Sequence, residues 1–156
     1  MGALNSSIID ERGPGKLRRE GSYDWKEMKI FISYAKSDTD FALSLTAQLA
    51  RQGHQVWTAD RTLLPGDNWP LAIGKALQDC DAMVVLLSPN SARSEGQRYE
   101  IDFALSSDRY AGRVIPVFIP PTKNYPWILE KFSAVNADNN PAAAGRKIGQ
   151  LLRKVS

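Results

Sequence analysis

The chain has 156 residues, enough for one domain with a sizeable core, and its formal net charge of +3 comes from basic residues that are largely scattered along the sequence. This charge pattern gives no support for nucleic-acid binding, and no apolar run approaches the roughly 20 residues that a membrane span requires. A single cysteine, Cys80, and a single histidine, His54, exclude an internal disulfide and a cysteine-based zinc site, so we predict no metal site and a reducing, cytoplasmic location.

The N-terminal segment differs in character from the rest of the chain. It shows no helical or strand periodicity and contains a Gly-Pro-Gly breaker cluster. We therefore predict a flexible arm over residues 1–26 and a single domain over residues 27–156. The domain begins with Lys29–Tyr34, a β-rich run typical of a buried strand. Ser37 is then a candidate N-cap for a helix that ends at Gly53.

A long loop follows the second predicted strand, Gln55–Thr58. It covers residues 59–68, whereas connections between a strand and a helix usually have about 2–6 residues. Leu63 and Leu64 at its tip match no neighbouring period, so they either fold back into the core or meet another protein. Pro70 suits the first turn of the next helix, which we predict to end near Gln78.

The second half of the chain supplies three more predicted strands. The most apolar is Ala82–Leu87, and Arg113–Ile119 forms the fourth. Pro116 removes a hydrogen-bond donor from that fourth strand, which favours a bulge or a position near the edge of the sheet. A short fifth strand lies near Phe132–Val135, and Pro141 opens the last helix.

Strands that alternate with helices predict the fold class. Five short apolar strands separated by helical patterns indicate a parallel sheet with helices on both faces. Because crossovers between parallel strands are right-handed, we predict an α/β, flavodoxin-like doubly wound fold with a five-stranded parallel sheet in the order 2-1-3-4-5.

Glu100 is the leading candidate for a functional carboxylate. It lies early in the helix after Ala82–Leu87, and ligands of open parallel sheets bind at the carboxyl ends of the strands. Gly96 and Ala104, four residues before and after it, share its helix face and leave space beside the carboxylate. A solvated surface glutamate is the alternative interpretation.

Several motifs resemble the Toll/interleukin receptor (TIR) domain family. The run from Lys29 to Asp38 resembles its first strand and turn, and Leu64–Trp69 resembles its BB loop. Met83–Ser91, followed by Ser94 and Glu100, resembles the strand and helix that carry the catalytic glutamate in the bacterial enzymatic, immune-type branch. The motifs occur in the family's order, and the resemblance covers roughly residues 28–155.

The resemblance implies NAD⁺ glycohydrolase or ADP-ribosyl cyclase activity with Glu100 as the catalytic residue. NAD⁺ is then the substrate, and we predict no cofactor. The enzymatic branch usually carries an aromatic residue four positions before the glutamate, where this chain has Gly96. The residues that could supply a ring for stacking instead are Tyr34, Trp69 and Tyr99.

Cleavage of nicotinamide from ribose passes through an oxocarbenium-like centre, as in glycoside hydrolysis. One carboxylate can stabilise that developing charge, and nicotinamide leaves without a second acid. Ser33, Ser88 and Asn90, at strand ends, are candidate substrate-binding residues, although such serines also satisfy local backbone groups. Lys36 and Arg93 could add charge for the pyrophosphate.

The resemblance also implies a role in bacterial antiphage immune signalling, with a separate effector or sensor subunit as a partner. We expect head-to-tail self-association through the 61–68 loop, because TIR enzymes that this chain resembles commonly complete their site with a neighbour's loop. The candidate interface residues are Leu63, Leu64, Pro65 and Gly66. The alternatives are a non-catalytic TIR adaptor or scaffold and an enzyme like the nucleoside deoxyribosyltransferases, which share the fold plan and an N-glycosidic glutamate.

Overall fold

The structure is a computed structural model that describes residues 27–58, 69–121 and 125–155. The predicted arm over residues 1–26 and the loop over residues 59–68 lie outside the described residues. Within them, five strands form one parallel sheet: β1 (Lys29–Ser33), β2 (Gln55–Trp57), β3 (Ala82–Leu87), β4 (Val114–Phe118) and β5 (Val135–Asn136). The α-helices are α1 (Thr39–Arg51), α2 (Trp69–Asp79), α3 (Glu95–Leu105) and α4 (Pro141–Val155).

The strand order is β2-β1-β3-β4-β5, which confirms the predicted 2-1-3-4-5 sheet. Ser33 pairs with Val85 at the carboxyl end of the ladder between β1 and β3. β4 is the next-to-last strand of the sheet. The last strand, β5, pairs only with the final two residues of β4, Val117 and Phe118. Pro116 therefore lies near the edge of the sheet, as its missing donor predicts.

Apolar residues on the two faces of the sheet form two separate cores. Alternate residues of β1 divide between them, because side chains along a strand point to opposite faces. Ile30 and Ile32 pack in the cluster with Leu45 of α1 and Ile148 of α4. Phe31 packs on the other face, in the cluster that includes residues of α2 and α3. The sheet is thus covered on both sides, and its carboxyl edge is left for polar residues.

The start of α1 differs from the sequence-based prediction. Lys36–Asp38 forms a 3₁₀ turn, and α1 begins at Thr39 with Asp38 at the N-cap position. Ser37 is therefore not the N-cap, and the Asp38 side chain makes no capping hydrogen bond. The helix ends as predicted, with Gly53 at a φ of 94°, a left-handed conformation that favours glycine.

Candidate active site

Helix α3 brings Glu100 to the carboxyl edge of the sheet. The helix begins after Ser94, whose side chain accepts a hydrogen bond from the backbone N–H of Gln97. Glu100 lies one and a half turns later, partly buried, facing the end of β1. There the hydroxyl of Ser33 donates a hydrogen bond of 2.7 Å to Glu100 Oε1. The structure thus joins two predicted site residues that are 67 positions apart in the sequence.

The surroundings of Glu100 change its acidity. Burial raises the pKa of Glu100 to about 7, and the hydrogen bond from Ser33 acts in the opposite direction. A carboxyl group in this state changes charge near neutral pH. Its ionised form, in a site of low dielectric constant, interacts strongly with a positive charge that develops beside it.

Gln97 is a site residue that the sequence-based reasoning missed. Only 2% of it is exposed, and its Nε2 donates hydrogen bonds to the carbonyl oxygens of Ser33 (3.1 Å) and Leu86 (2.7 Å). It therefore ties α3 to the ends of β1 and β3. The signal that could have identified it is a glutamine at the same helical phase as Ile101 and Ala104, the buried apolar residues of α3.

Asp38 is a second site residue that the sequence-based reasoning did not single out. Its carboxylate accepts hydrogen bonds from the hydroxyl of Ser88 (2.5 Å) and from Nδ2 of Asn90 (3.1 Å). Ser88 Oγ also accepts from the backbone N–H of Asn90. Asp38 thus holds the segment after β1 against the segment after β3. These bonds give Ser88 and Asn90 a structural role, and substrate binding by them stays a prediction.

The other candidate residues lie near the same end of the sheet, and none of the described hydrogen bonds joins them to Glu100. Tyr34 is half-buried and packs against the core that includes α1. Lys36 and Arg93 are exposed, each in a 3₁₀ turn at the carboxyl end of a strand. Tyr99 is 74% exposed.

The remaining site predictions concern one side chain at the start of α2 and four residues of the 59–68 loop. The side chain of Trp69 and the candidate interface residues Leu63, Leu64, Pro65 and Gly66 lie outside the described residues. Their predicted roles stay predictions.

Gly96, where the enzymatic TIR branch usually has an aromatic residue, is exposed on α3. Outside its own helix, no described atom lies within 4 Å of a Cβ built at this position. The described residues therefore do not obstruct a Cβ at Gly96, and the space expected beside the Glu100 carboxylate stays a prediction.

The part of the chain that the structure describes contains neither a cluster of potential metal ligands nor a helix that could span a membrane. No group of three or more histidine, cysteine, aspartate or glutamate side chains in residues 27–58, 69–121 and 125–155 is placed to hold a metal ion. In the same part of the chain, every helix is too short or too polar to span a bilayer. At the carboxyl edge the structure places a partly buried carboxylate beside a hydroxyl donor.

The sequence of this chain is similar to those of known proteins. A family model described as TIR domain matches residues 30–152. The NAD(+) hydrolase PdTIR of Paracoccus denitrificans (strain Pd 1222) is 33% identical over 112 residues, which are 70% of this chain and 36% of that protein. The 2′ cyclic ADP-D-ribose synthase AbTIR of Acinetobacter baumannii (strain 1295743) is 30% identical over 100 residues, 63% of this chain and 37% of that protein. The chain therefore spans about a third of the length of these relatives.

A solved structure shows the same fold. The TIR domain of the Toll-related receptor TRR-2 from Hydra magnipapillata is similar with a TM-score of 0.63 and 19% sequence identity. The match covers 80% of this chain and 97% of that chain. At this level of identity the likeness concerns the fold alone.

Proposed function

This chain belongs to the TIR domain family, and on that premise we propose that it cleaves the bond between nicotinamide and ribose in NAD⁺. The products are nicotinamide and either ADP-ribose or a cyclic isomer. The observation that carries the proposal is the 2.7 Å hydrogen bond from Ser33 to the partly buried Glu100 at the carboxyl edge of the sheet. The two bacterial relatives named as an NAD(+) hydrolase and a cyclic ADP-ribose synthase support it.

The proposed step needs only one carboxylate. The bond between the ribose C1′ and the nicotinamide nitrogen breaks, and its electron pair leaves with nicotinamide, which becomes neutral. Positive charge then develops on the ribose, where the ionised Glu100 stabilises it. Water attacks C1′ and loses a proton to give ADP-ribose, or a nucleophile of the same ADP-ribosyl group attacks to give a cyclic product.

Chromatography of NAD⁺ after incubation with concentrated protein tests the proposal. We expect nicotinamide in equal amount to the sum of ADP-ribose and its cyclic isomers. A parallel incubation with a deoxyribonucleoside and a free acceptor base tests the deoxyribosyltransferase alternative. Intact NAD⁺ at all protein concentrations would contradict the proposal and favour the non-catalytic TIR scaffold, for which the glycine at position 96 is the supporting observation.

We expect the activity to rise with pH through neutrality. Burial raises the pKa of Glu100 to about 7, so the carboxyl group is largely neutral below this pH and ionised above it. Since the ionised form stabilises the developing positive charge, kcat/KM should increase about tenfold per pH unit below the inflection and level off above it. Steady-state measurements from pH 5.5 to 8.5 check this. An inflection near 4.5, or none, would contradict a buried catalytic Glu100.

Replacing Gly96 by tryptophan should tighten NAD⁺ binding or change the ratio of linear to cyclic product. No described atom outside the helix lies within 4 Å of a Cβ added at this position, and a stacked aromatic contributes on the order of 1 kcal/mol, which is several-fold in affinity. KM and the product ratio are the quantities to compare with wild type. Gly74→Trp is the matched control, because Gly74 of α2 is also free of described atoms within 4 Å of an added Cβ. Equal effects of the two variants would contradict a specific role for position 96.

The proposal extends to the biological setting. We propose that the activity belongs to bacterial antiphage signalling in the cytoplasm, with self-association through the 61–68 loop and a separate effector or sensor subunit as partner. The supports for this setting are the family membership, the single cysteine and the apolar tip of the loop in the sequence.

A further inference from the structure

Gln97 occupies a position where an apolar residue would ordinarily pack. It is 2% exposed, and the other buried residues of α3 are Ile101 and Ala104. Its two N–H groups both reach backbone carbonyl groups of the sheet, Ser33 O on β1 and Leu86 O on β3. One side chain therefore fixes the position of α3 against two adjacent strands.

The need for these donors follows from the geometry of the sheet edge. Ser33 is the last residue of β1 and pairs with Val85, next to Leu86, so its carbonyl group lies where the ladder between β1 and β3 ends. A buried carbonyl group at such an end needs a donor from outside the sheet. Gln97 supplies one donor to each strand; Leu86 O also accepts from the Ser91 hydroxyl, whereas Gln97 is the described side-chain donor to Ser33 O.

The same residue of β1 also holds the candidate catalytic group. The carbonyl group of Ser33 accepts from Gln97, and its hydroxyl donates to Glu100. Gln97 and Glu100 are three residues apart on α3, so they are neighbours on one face of the helix. Ser33 is thus bound at both its backbone and its side chain by residues of one helical turn.

We propose that Gln97 is a positioning residue: it holds the end of β1 so that the Ser33 hydroxyl stays aligned with the Glu100 carboxylate. For catalysis this inference rests on the proposed function. Its structural part, the coupling between Gln97, Ser33 and Glu100, stands without it.

The side-chain oxygen of Gln97 indicates that the residue is important for its two N–H groups. Among the described residues, Oε1 of Gln97 is buried and has no hydrogen-bond partner. A buried polar atom without a partner carries a free-energy cost that an apolar side chain would avoid. A glutamine here is accounted for by its two N–H groups, which an apolar residue of the same length lacks.

The first test measures Glu100 itself and needs no catalysis. The side-chain carboxyl carbon of Glu100, assigned by its loss in Glu100→Gln, is followed by NMR during a pH titration. Ser33→Ala should raise the pKa of Glu100, because the Ser33 hydrogen bond lowers it. Gln97→Met, which keeps the length and removes both donors, should raise it as well. In the double variant the two effects should fall short of their sum, because Gln97 acts through Ser33.

The controls separate positioning from a general loss of stability. Gln78→Met makes the same replacement at an exposed glutamine of α2 and should leave the pKa of Glu100 unchanged. If Gln97→Met does not fold, Gln97→Asn retains an amide that is too short to reach both carbonyl groups. A folded variant of either kind with the wild-type pKa of Glu100, or effects that add in full with those of Ser33→Ala, would overturn the proposal.

The second test uses turnover of NAD⁺. Gln97→Met should lower kcat by roughly tenfold or more with a smaller change in KM, and should move the inflection of the pH profile upward. A change in KM alone, with an unchanged pH profile, would overturn the positioning role. If wild type shows no turnover but the NMR titrations agree with expectation, the proposed function fails while the coupling of Gln97 to Glu100 stands.

Discussion

Replacing Glu100 by glutamine is expected to abolish nicotinamide release. The amide keeps the shape of the side chain and an oxygen that accepts the Ser33 hydrogen bond, but it carries no negative charge. The developing positive charge on the ribose then lacks its counter-charge. Removing one such electrostatic group costs about 10²–10³-fold in kcat. Nicotinamide release at fixed protein concentration, followed by chromatography, measures the loss.

The same variant should be more stable than wild type above neutral pH. The pKa of Glu100 is raised to about 7 in the folded protein, from about 4.5 for a free glutamate, because burial disfavours the charged form. The folded state therefore holds more protons than the unfolded state between these two pH values, so stability falls as pH rises through this range. Glutamine never ionises and avoids that loss. At pH 8 we expect Glu100→Gln to unfold at a higher temperature than wild type, and at pH 4 at a similar one.

Glu95→Gln is the control for both measurements. Glu95 is exposed in the first turn of the same helix, so its replacement should change neither turnover nor the pH dependence of thermal unfolding. Full activity in Glu100→Gln would remove Glu100 from the mechanism. A loss of activity together with a lower unfolding temperature at pH 8 would point to damage of the fold instead.

Replacing Leu64 by aspartate is expected to keep the protein inactive at concentrations where wild type is active. The reason lies in the sequence: the 59–68 loop is long, and its tip carries two adjacent leucines. If this tip docks on a neighbouring copy, the charge of the aspartate would be buried without a partner. The cost is several kcal/mol, or about 10²-fold or more in association.

Concentration dependence is the measurement that checks this prediction. Specific activity of wild type should rise steeply with protein concentration, in parallel with light scattering, since a head-to-tail contact propagates unless it closes into a ring. Leu43→Asp is the control: it places the same charge at an exposed leucine of α1, outside the loop, and should leave the concentration dependence of the activity unchanged. Wild-type activity that is independent of concentration, with only monomer in solution, would contradict assembly through the loop.

The order of the sheet and the place of Glu100 follow from the sequence alone. The strand Ala82–Leu87 has the bounds that its apolar run predicts, and Gly53 ends α1 at a positive φ. These features depend on residues close together in the chain, where hydrophobic periodicity and turn preferences act. The position of Glu100 follows too, because a strand that ends in polar residues and leads into a helix must deliver that helix to the carboxyl edge.

The connections that make the edge a site were decided only by tertiary structure. Asp38 and Ser88 are 50 residues apart in the chain, and Gln97 and Ser33 are 64 apart. The predicted strand order makes β1 and β3 neighbours, but no local pattern links individual residues at such separations, because their contact depends on the exact register between the strands and on how the segments after them fold. Ser37 resembles an N-cap in the local sequence, but a 3₁₀ turn at Lys36–Asp38 precedes α1, which begins at Thr39. The raised pKa of Glu100 could not be predicted from the sequence either, because it results from burial, which the whole fold determines.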